Sequence, residues 1–334
     1  LDGVRWQIVE DSSAQYTRAV NEQNADICTI PRSQFDPSLL ERGEELDGNR
    51  HLGSYGPVGG TTMNYGETTL PRTQYLIFNT QAVDKPVRQA IAYMLNQQIL
   101  TEEATRGLGQ PAYFITPPNA FPGGPGEYDR VAQEDYPYGY NTSDLEGARQ
   151  VMRDAGYSDD NRYAVTISVP SDSKASQWQS ITSLMTDLAQ SVLIDLSVET
   201  APHSTLTNRA IEANFDIFGT YNALSWMEAD STLQFAYPNP FTWTNWEPDA
   251  TPAAQDAAAA WSRYEENRVP TEAAQEVRNE VYLEIERANW EDVTELPLWH
   301  PTDQQYWYDW VDNYEINGPM SRPRLNEVAL GDRA

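Results

Sequence analysis

Between residues 164 and 221 the chain alternates between strand and helix periods, and this constrains its fold more than any other feature. Residues 164–169 (AVTISV), 194–199 (IDLSVE) and 215–221 (FDIFGTY) are rich in β-branched and aromatic residues, as strands are. Between them, 176–192 and 205–213 carry apolar residues at helical spacing. The order strand, helix, strand, helix, strand predicts a parallel sheet with right-handed crossovers. The expected fold class is α/β, with ligand loops at the carboxyl ends of these strands.

The flanking segments fill in the architecture. A strand is expected at 4–9, a helix at 13–24 capped by Ser12 or Ser13, and a second strand in ADICTIP. Turn signals stand at Tyr55-Gly56-Pro57 and Gly59-Gly60, followed by a β-rich run at 75–79. The stretch VRQAIAYMLNQQILTEEATRGLGQPA (87–112) reads as a helix. Pro86 suits the first turn, where an N–H would go unpaired. Val87, Ile91, Met94 and Leu95 form one apolar stripe, and Gly107 supplies a left-handed end. Residues 110–142, rich in Pro, Gly and Tyr, read as loop. TSDLEGARQVMRDAGY carries an amphipathic helix with Ser143 as its cap and Gly156 as its stop. Helices follow at 253–266 and 271–290, then an extended aromatic tail from LPLWHP.

Fifty acidic and 22 basic residues give a formal net charge of −28. Such a surface repels phosphate backbones, so nucleic acid is not an expected partner. Lysine occurs only at Lys85 and Lys174, while 40% of residues are apolar. A folded chain with a carboxylate coat and so little lysine is expected to be adapted to high salt, which screens the self-repulsion. Cys28 is the single cysteine, so no intrachain disulfide can form, and it reads as a small buried hydrophobe.

No catalytic, metal or cofactor motif is found. His51, His203 and His300 do not share a helix turn, and there is no nucleophile elbow and no Gly-Lys-Ser/Thr phosphate loop. With so many acids, chance carboxylate pairs carry no information. The chain is expected not to be an enzyme and to hold no metal or cofactor. His300, in LWHPTD, is read as either structural or a ligand contact. Aromatics are more informative, because Tyr and Trp suit cleft walls. They gather in GTYNALSWMEAD, PFTWTNWEP and QQYWYDW. The first follows the third strand of the parallel unit, so Tyr221, Asn222 and Trp226 are candidate ligand residues, with Trp243 and Trp246 beside them. Trp307 and Trp310 read better as packing.

Several stretches, in order along the chain, resemble extracytoplasmic solute-binding proteins of peptide-type (dipeptide/oligopeptide) ABC importers. They are RAVNEQNADICTIP, YLIFNT with the helix at 87–112, YNTSDLEGARQVMRDAGY and LPLWHP. The resemblance implies a periplasmic-binding-protein-like two-lobe fold (type II, cluster C-like), with one lobe whole at 84–297. The other lobe, 1–83 plus 298–334, would lack its first β-rich segments. The hinge would lie near 79–85 and 296–303, with Asn79, Thr80, Leu298, Trp299 and His300 in it. The same resemblance implies an extracellular monomer, anchored at the cell surface through a missing N-terminus. It would close over a solute, leave it chemically unchanged and dock on an ABC permease. In peptide-binding members an aspartate just after the strand equivalent to GTYN pairs with the ligand's amino terminus. Here Asn222, Ala223, Leu224 and Ser225 follow Tyr221, and the nearest acids, Glu228 and Asp230, are the candidate ligand residues for that role if the loop is longer. The aromatic content also suits an oligosaccharide, which some members bind. Two further alternatives are a sensory or structural surface protein using the same fold without transport, and a secreted glycosidase, which needs two carboxylates ~5–9.5 Å apart across a cleft.

Overall fold

The computed structural model describes residues 3–46, 50–171, 175–239, 242–316 and 325–332. Residues 3–10 are extended but pair with no strand among the described residues, so the expected strand at 4–9 is absent. Its alternating Val4, Trp6 and Ile8 stay exposed, and alternation alone makes no strand without a partner. Helix α1 (Ser12–Tyr16) then widens into a π-helical stretch, Thr17–Asn21. Its cap is Asp11 rather than Ser12 or Ser13: the carboxylate accepts from Ala14 N at 2.7 Å. Strand β1 (Ile27–Cys28) precedes an antiparallel meander of β2 (Leu40–Glu45), β3 (Arg50–Val58) and β4 (Thr61–Thr69). Gly59 and Gly60, at φ +57° and +84°, make the tight β3–β4 turn that most side chains would resist.

Strand β5 (Arg72–Phe78) opens the second half. The expected helix at 87–112 forms as two, α2 (Lys85–Met94) and α3 (Gln97–Thr105). Leu95 is extended, and the Asn96 side chain accepts from Ile99 N at 3.1 Å, starting a new helix in place of the old one. The apolar stripe is fully buried at Val87, Ile91, Met94 and Leu95, worth roughly 2 kcal/mol per side chain. Strand β6 (Gly109–Pro111) follows. Within the stretch read as loop lies α4 (Pro125–Asp135), with Pro125 in its first turn and Tyr128, Val131 and Ala132 buried. Asp144, not Ser143, caps α5 (Leu145–Asp154), accepting from Gly147 N at 2.8 Å.

The alternating segment gives β7 (Tyr163–Pro170), α6 (Ala175–Ser191), β8 (Ile194–Ala201), α7 (His203–Ile211) and β9 (Ile217–Ala223). Strand β7 lies parallel to both β8 and β9, as predicted, and β9 pairs antiparallel with β5. Then come α8 (Asp230–Leu233), α9 (Pro252–Glu266) and α10 (Glu272–Asp292).

Strand β10 (Glu295–Trp307) joins the two halves. Its first part pairs antiparallel with β5, from Glu295 opposite Ile77 to Trp299 opposite Gln74. Its last part pairs antiparallel with β4, from Thr302 opposite Thr69 to Trp307 opposite Asn64. The strand order is β2-β3-β4-β10-β5-β9-β7-β8, with a separate antiparallel pair of β11 (Val311–Asp312) and β12 (Ala329–Leu330). Each half has its own core among the described residues. One gathers Tyr55, Met63, Tyr65, Tyr306, Trp307 and Trp310; the other gathers Phe78, Ile91, Phe114, Trp178, Ile217 and Trp299. The chain passes between them at 69–72 and 300–302, and the two passages touch, Leu70 N donating to Pro301 O at 2.9 Å. Because β5 pairs with β9, residues 72–78 lie in the second sheet rather than the first lobe. Asn79 and Thr80 stand at the far end of β5, roughly 20 Å from the crossing.

Candidate functional site

Parallel strands end together. Pro170 of β7 pairs with Ala201 of β8, and Ala223 of β9 faces Arg72, the first residue of β5. Since Arg72 is the last residue of the passage at 69–72, the carboxyl edge of the parallel strands abuts the crossing between the lobes. Leu224 N donates to Pro71 O at 2.8 Å and fixes that contact. Ligands of open α/β sheets bind along such an edge.

Four large apolar side chains remain exposed here: Tyr221 (39%), Trp226 (45%), Met227 (39%) and Phe235 (46%). Four exposed large apolar side chains on one short segment, 221–235, make it a candidate contact surface. The loop carrying it is tied down from behind. Ser231 Oγ accepts from Ser225 N at 2.7 Å, and the Trp226 indole N–H donates to Asp230 at 2.8 Å. The Tyr264 hydroxyl on α9 donates to the other Asp230 oxygen at 2.5 Å. Burial, and then that bond to Asp230, hold the Tyr264 hydroxyl well above its ordinary range, so it stays a donor. Glu228 accepts from Arg278 Nε at 2.8 Å and from the Tyr282 hydroxyl at 3.0 Å. Arg278 also donates to the carbonyls of Asn267 and Val269. Both candidate acids are thus engaged by α9 and α10, where they shape the loop.

The remaining predicted residues divide between two places. Asn222 pairs opposite Thr73 at the rim. Trp243 packs on Phe218, and Trp246 is only 3% exposed, its indole N–H donating to Asp292 at 2.8 Å. Thr80 N donates to Thr244 O, Thr80 Oγ1 to Asn245 O, and Asn245 to Asn79 Oδ1. Trp243, Trp246, Asn79 and Thr80 therefore share the opposite edge of the sheet from Tyr221, Asn222, Trp226, Glu228 and Asp230.

Leu298, Trp299 and His300 are fully buried beside the crossing. The Thr73 hydroxyl donates to Ile115 O at 2.7 Å, so it must accept from His300 Nδ1 at 3.0 Å. Nε2 then accepts from the Tyr128 hydroxyl at 2.8 Å. Burial pushes the imidazole down to about 3, so it is the neutral Nδ1–H tautomer and a structural group with no face for a solute. Two further carboxyls are enclosed. Burial raises Glu286 to about 7 although it accepts from Ile115 N and Thr116 N. Burial and the charge of Glu286 raise Glu295 to about 8. Neither opens on a cleft, so this pair cannot serve glycoside hydrolysis.

Residues the sequence reading passed over include Met227, Phe235 and Arg72. The guanidinium carbon of Arg72 lies 4.6 Å above the centre of the Tyr221 ring. No signal in the sequence singled them out: the acid-free stretch at 68–83 is matched or exceeded by those at 48–66, 85–101 and 104–126. A cavity of about 740 Å3 lies in the other lobe, lined by residues 3–7 and 9 and reaching Thr68 and Leu70. It contains none of the predicted residues and is roofed by the unpaired segment, so the rim is the better candidate. Cys28 lines that cavity; burial pushes its thiol up to about 12, which makes it unreactive.

The profile described as "Bacterial extracellular solute-binding proteins, family 5 Middle" matches residues 1–243. No curated protein matches the chain. Similar solved structures include the Escherichia coli murein tripeptide binding protein MppA (17% identity, TM-score 0.62), covering 97% of this chain and 57% of that one. The dipeptide binding protein from Pseudoalteromonas sp. SM9913, in complex with Met-Leu, is 16% identical with TM-score 0.64 over 97% of this chain and 57% of its own. The Listeria monocytogenes ABC transporter substrate binding protein CtaP is 15% identical with TM-score 0.71 over 97% and 59%. The fold is thus periplasmic-binding-protein-like, and the chain spans less than two thirds of the length of these relatives. No helix among the described residues is long and apolar enough to cross a membrane.

Proposed function

The chain belongs to the bacterial extracellular solute-binding proteins of family 5, and from that premise we propose that it captures a peptide between two lobes and delivers it to an ABC permease. The observation that carries this reading is the exposed cluster of Tyr221, Trp226, Met227 and Phe235 at the carboxyl edge of the parallel strands, beside the crossing. Apolar contact there would supply affinity, while backbone and side-chain polar groups fix orientation. Glu228 and Asp230 act through the loop they hold. Closure would turn about 69–72 and 300–302, two adjacent strand connections able to bend together. That puts the hinge at the crossing instead of at Asn79 and Thr80, which the 243–246 segment pins. Peptide is preferred over sugar because several of the similar structures are named for peptides. The carboxylate coat suits work in concentrated salt, and the family reading puts that work outside the cell, anchored at its surface.

Thermal shift of the protein in multimolar KCl, against di- to hexapeptides and oligosaccharides, tests this. A ligand at 100 times its Kd adds about 2.7 kcal/mol of stability. Shifts with peptides alone are expected. Shifts with oligosaccharides and no peptide would reverse the assignment, and turnover of any of them would end the binding-protein reading.

A further inference from the structure

We infer that Arg72 anchors an anionic group of the solute, the terminal carboxylate of a peptide, with Tyr221 as the platform that holds the guanidinium in place. This deepens the peptide reading and rests on it. Arg72 is half-buried at the rim, stacked on a half-exposed tyrosine. Among the described residues it makes no ion pair. Carboxylates are not scarce: Arg149, Arg162, Arg209, Arg263 and Arg287 each reach one within 3.0 Å. The Arg72 Nε is buried without a hydrogen-bond partner. An uncommitted guanidinium in a chain of net charge −28 calls for an explanation. Its planar fork matches a carboxylate, which takes two parallel N–H bonds.

A second observation points to the same place. Other buried polar atoms without partners surround the crossing: Thr68 Oγ1, Gln74 Oε1, Asn119 Oδ1 and Trp299 Nε1. Gln74 sits two residues along β5 from Arg72, on the same face, with Tyr221 opposite it on one side and Trp299 on the other. Asn119 reaches the crossing directly, its amide donating to Thr69 O at 3.0 Å. These unpartnered groups lie along the crossing beside Arg72, on β4, β5, β10 and the 118–120 turn, and Tyr221 and Trp226 stand exposed near it.

The test is equilibrium dialysis against a mixed tripeptide pool, as free acids and as C-terminal amides, read by mass spectrometry. The native chain should retain acids roughly tenfold to a hundredfold better than amides. Arg72→Gln should erase that preference. Arg72→Lys should recover part of it. Arg72→Gln loses the stacking on Tyr221 but no ion pair, so it should melt within about 4 °C of the native chain. Equal retention of acids and amides by the native chain, or an unchanged preference in Arg72→Gln, overturns the assignment and leaves the peptide reading intact. Retention of neither pool overturns both.

Discussion

Asp230→Ala separates a scaffold role from a ligand role for the rim acids. The substitution strands two donors, the Trp226 indole N–H at 2.8 Å and the Tyr264 hydroxyl at 2.5 Å. Hydrogen bonds to a charged acceptor contribute roughly 1.5–3 kcal/mol each. Trp226 is 45% exposed and can turn its N–H to water, so its share belongs at the low end. Tyr264 is buried and cannot, so the total is roughly 3 kcal/mol. For an unfolding unit of about 200 residues that lowers Tm by roughly 6–12 °C. Asp230→Asn, which keeps one acceptor, should lose about half as much. The assay is thermal unfolding by circular dichroism at fixed salt without peptide, extended to a double-mutant cycle with Trp226→Phe. The pair should be coupled by at least ~0.5 kcal/mol, since they share a bond. An unchanged Tm with zero coupling, together with lost peptide affinity, would mean that Asp230 meets the solute and that the loop stands without it.

Glu286 and Glu295 carry folded values near 7 and 8, above those of an unfolded chain. Their contribution is complete below about pH 4.5 and is lost as pH rises through 7 and 8. Tm should fall between pH 5 and 9, and Glu295→Gln should flatten that slope; an unaltered slope refutes the assignment. Gly219→Ala would set a methyl 2.7 Å from Trp178 Cζ3 and 3.0 Å from Val169 Cγ1. Denaturant unfolding should show a loss of about 1–3 kcal/mol. If the acidic coat reflects work in brine, Tm should climb steadily from low to multimolar KCl, and a protein already at its full Tm in dilute buffer contradicts this.

The parallel unit was legible because its strands are apolar runs punctuated by amphipathic helices, so period alone identifies them. Helix α4 was hidden because its Pro and Gly neighbours speak for turns, although Pro125 is only its first turn. Tyr221 and Trp226 were visible as rim aromatics. The work of Glu228 and Asp230 was not, because Arg278 and Tyr264 lie 50 and 34 residues away and fifty acids look alike in sequence. Trp243 and Trp246 follow Trp226 closely along the chain, yet the loop carries them to the opposite edge, where Thr80 fastens it. The crossing was displaced by one strand because β5 is buried on nearly every residue. Such a run shows that it is central, without showing which sheet it is central to.

Strand β10 has a consequence for how the polypeptide is made. It is inserted between β4 and β5, whose partners precede it by more than 200 residues. A chain emerging amino end first has neither sheet closed until residue 307 is out. Pairings so distant in sequence carry a large loop-closure cost, so they form late and slowly. Until then β4 and β5 lack the partner that lies between them, and a chain cut short before residue 295 would lack the one strand common to both halves.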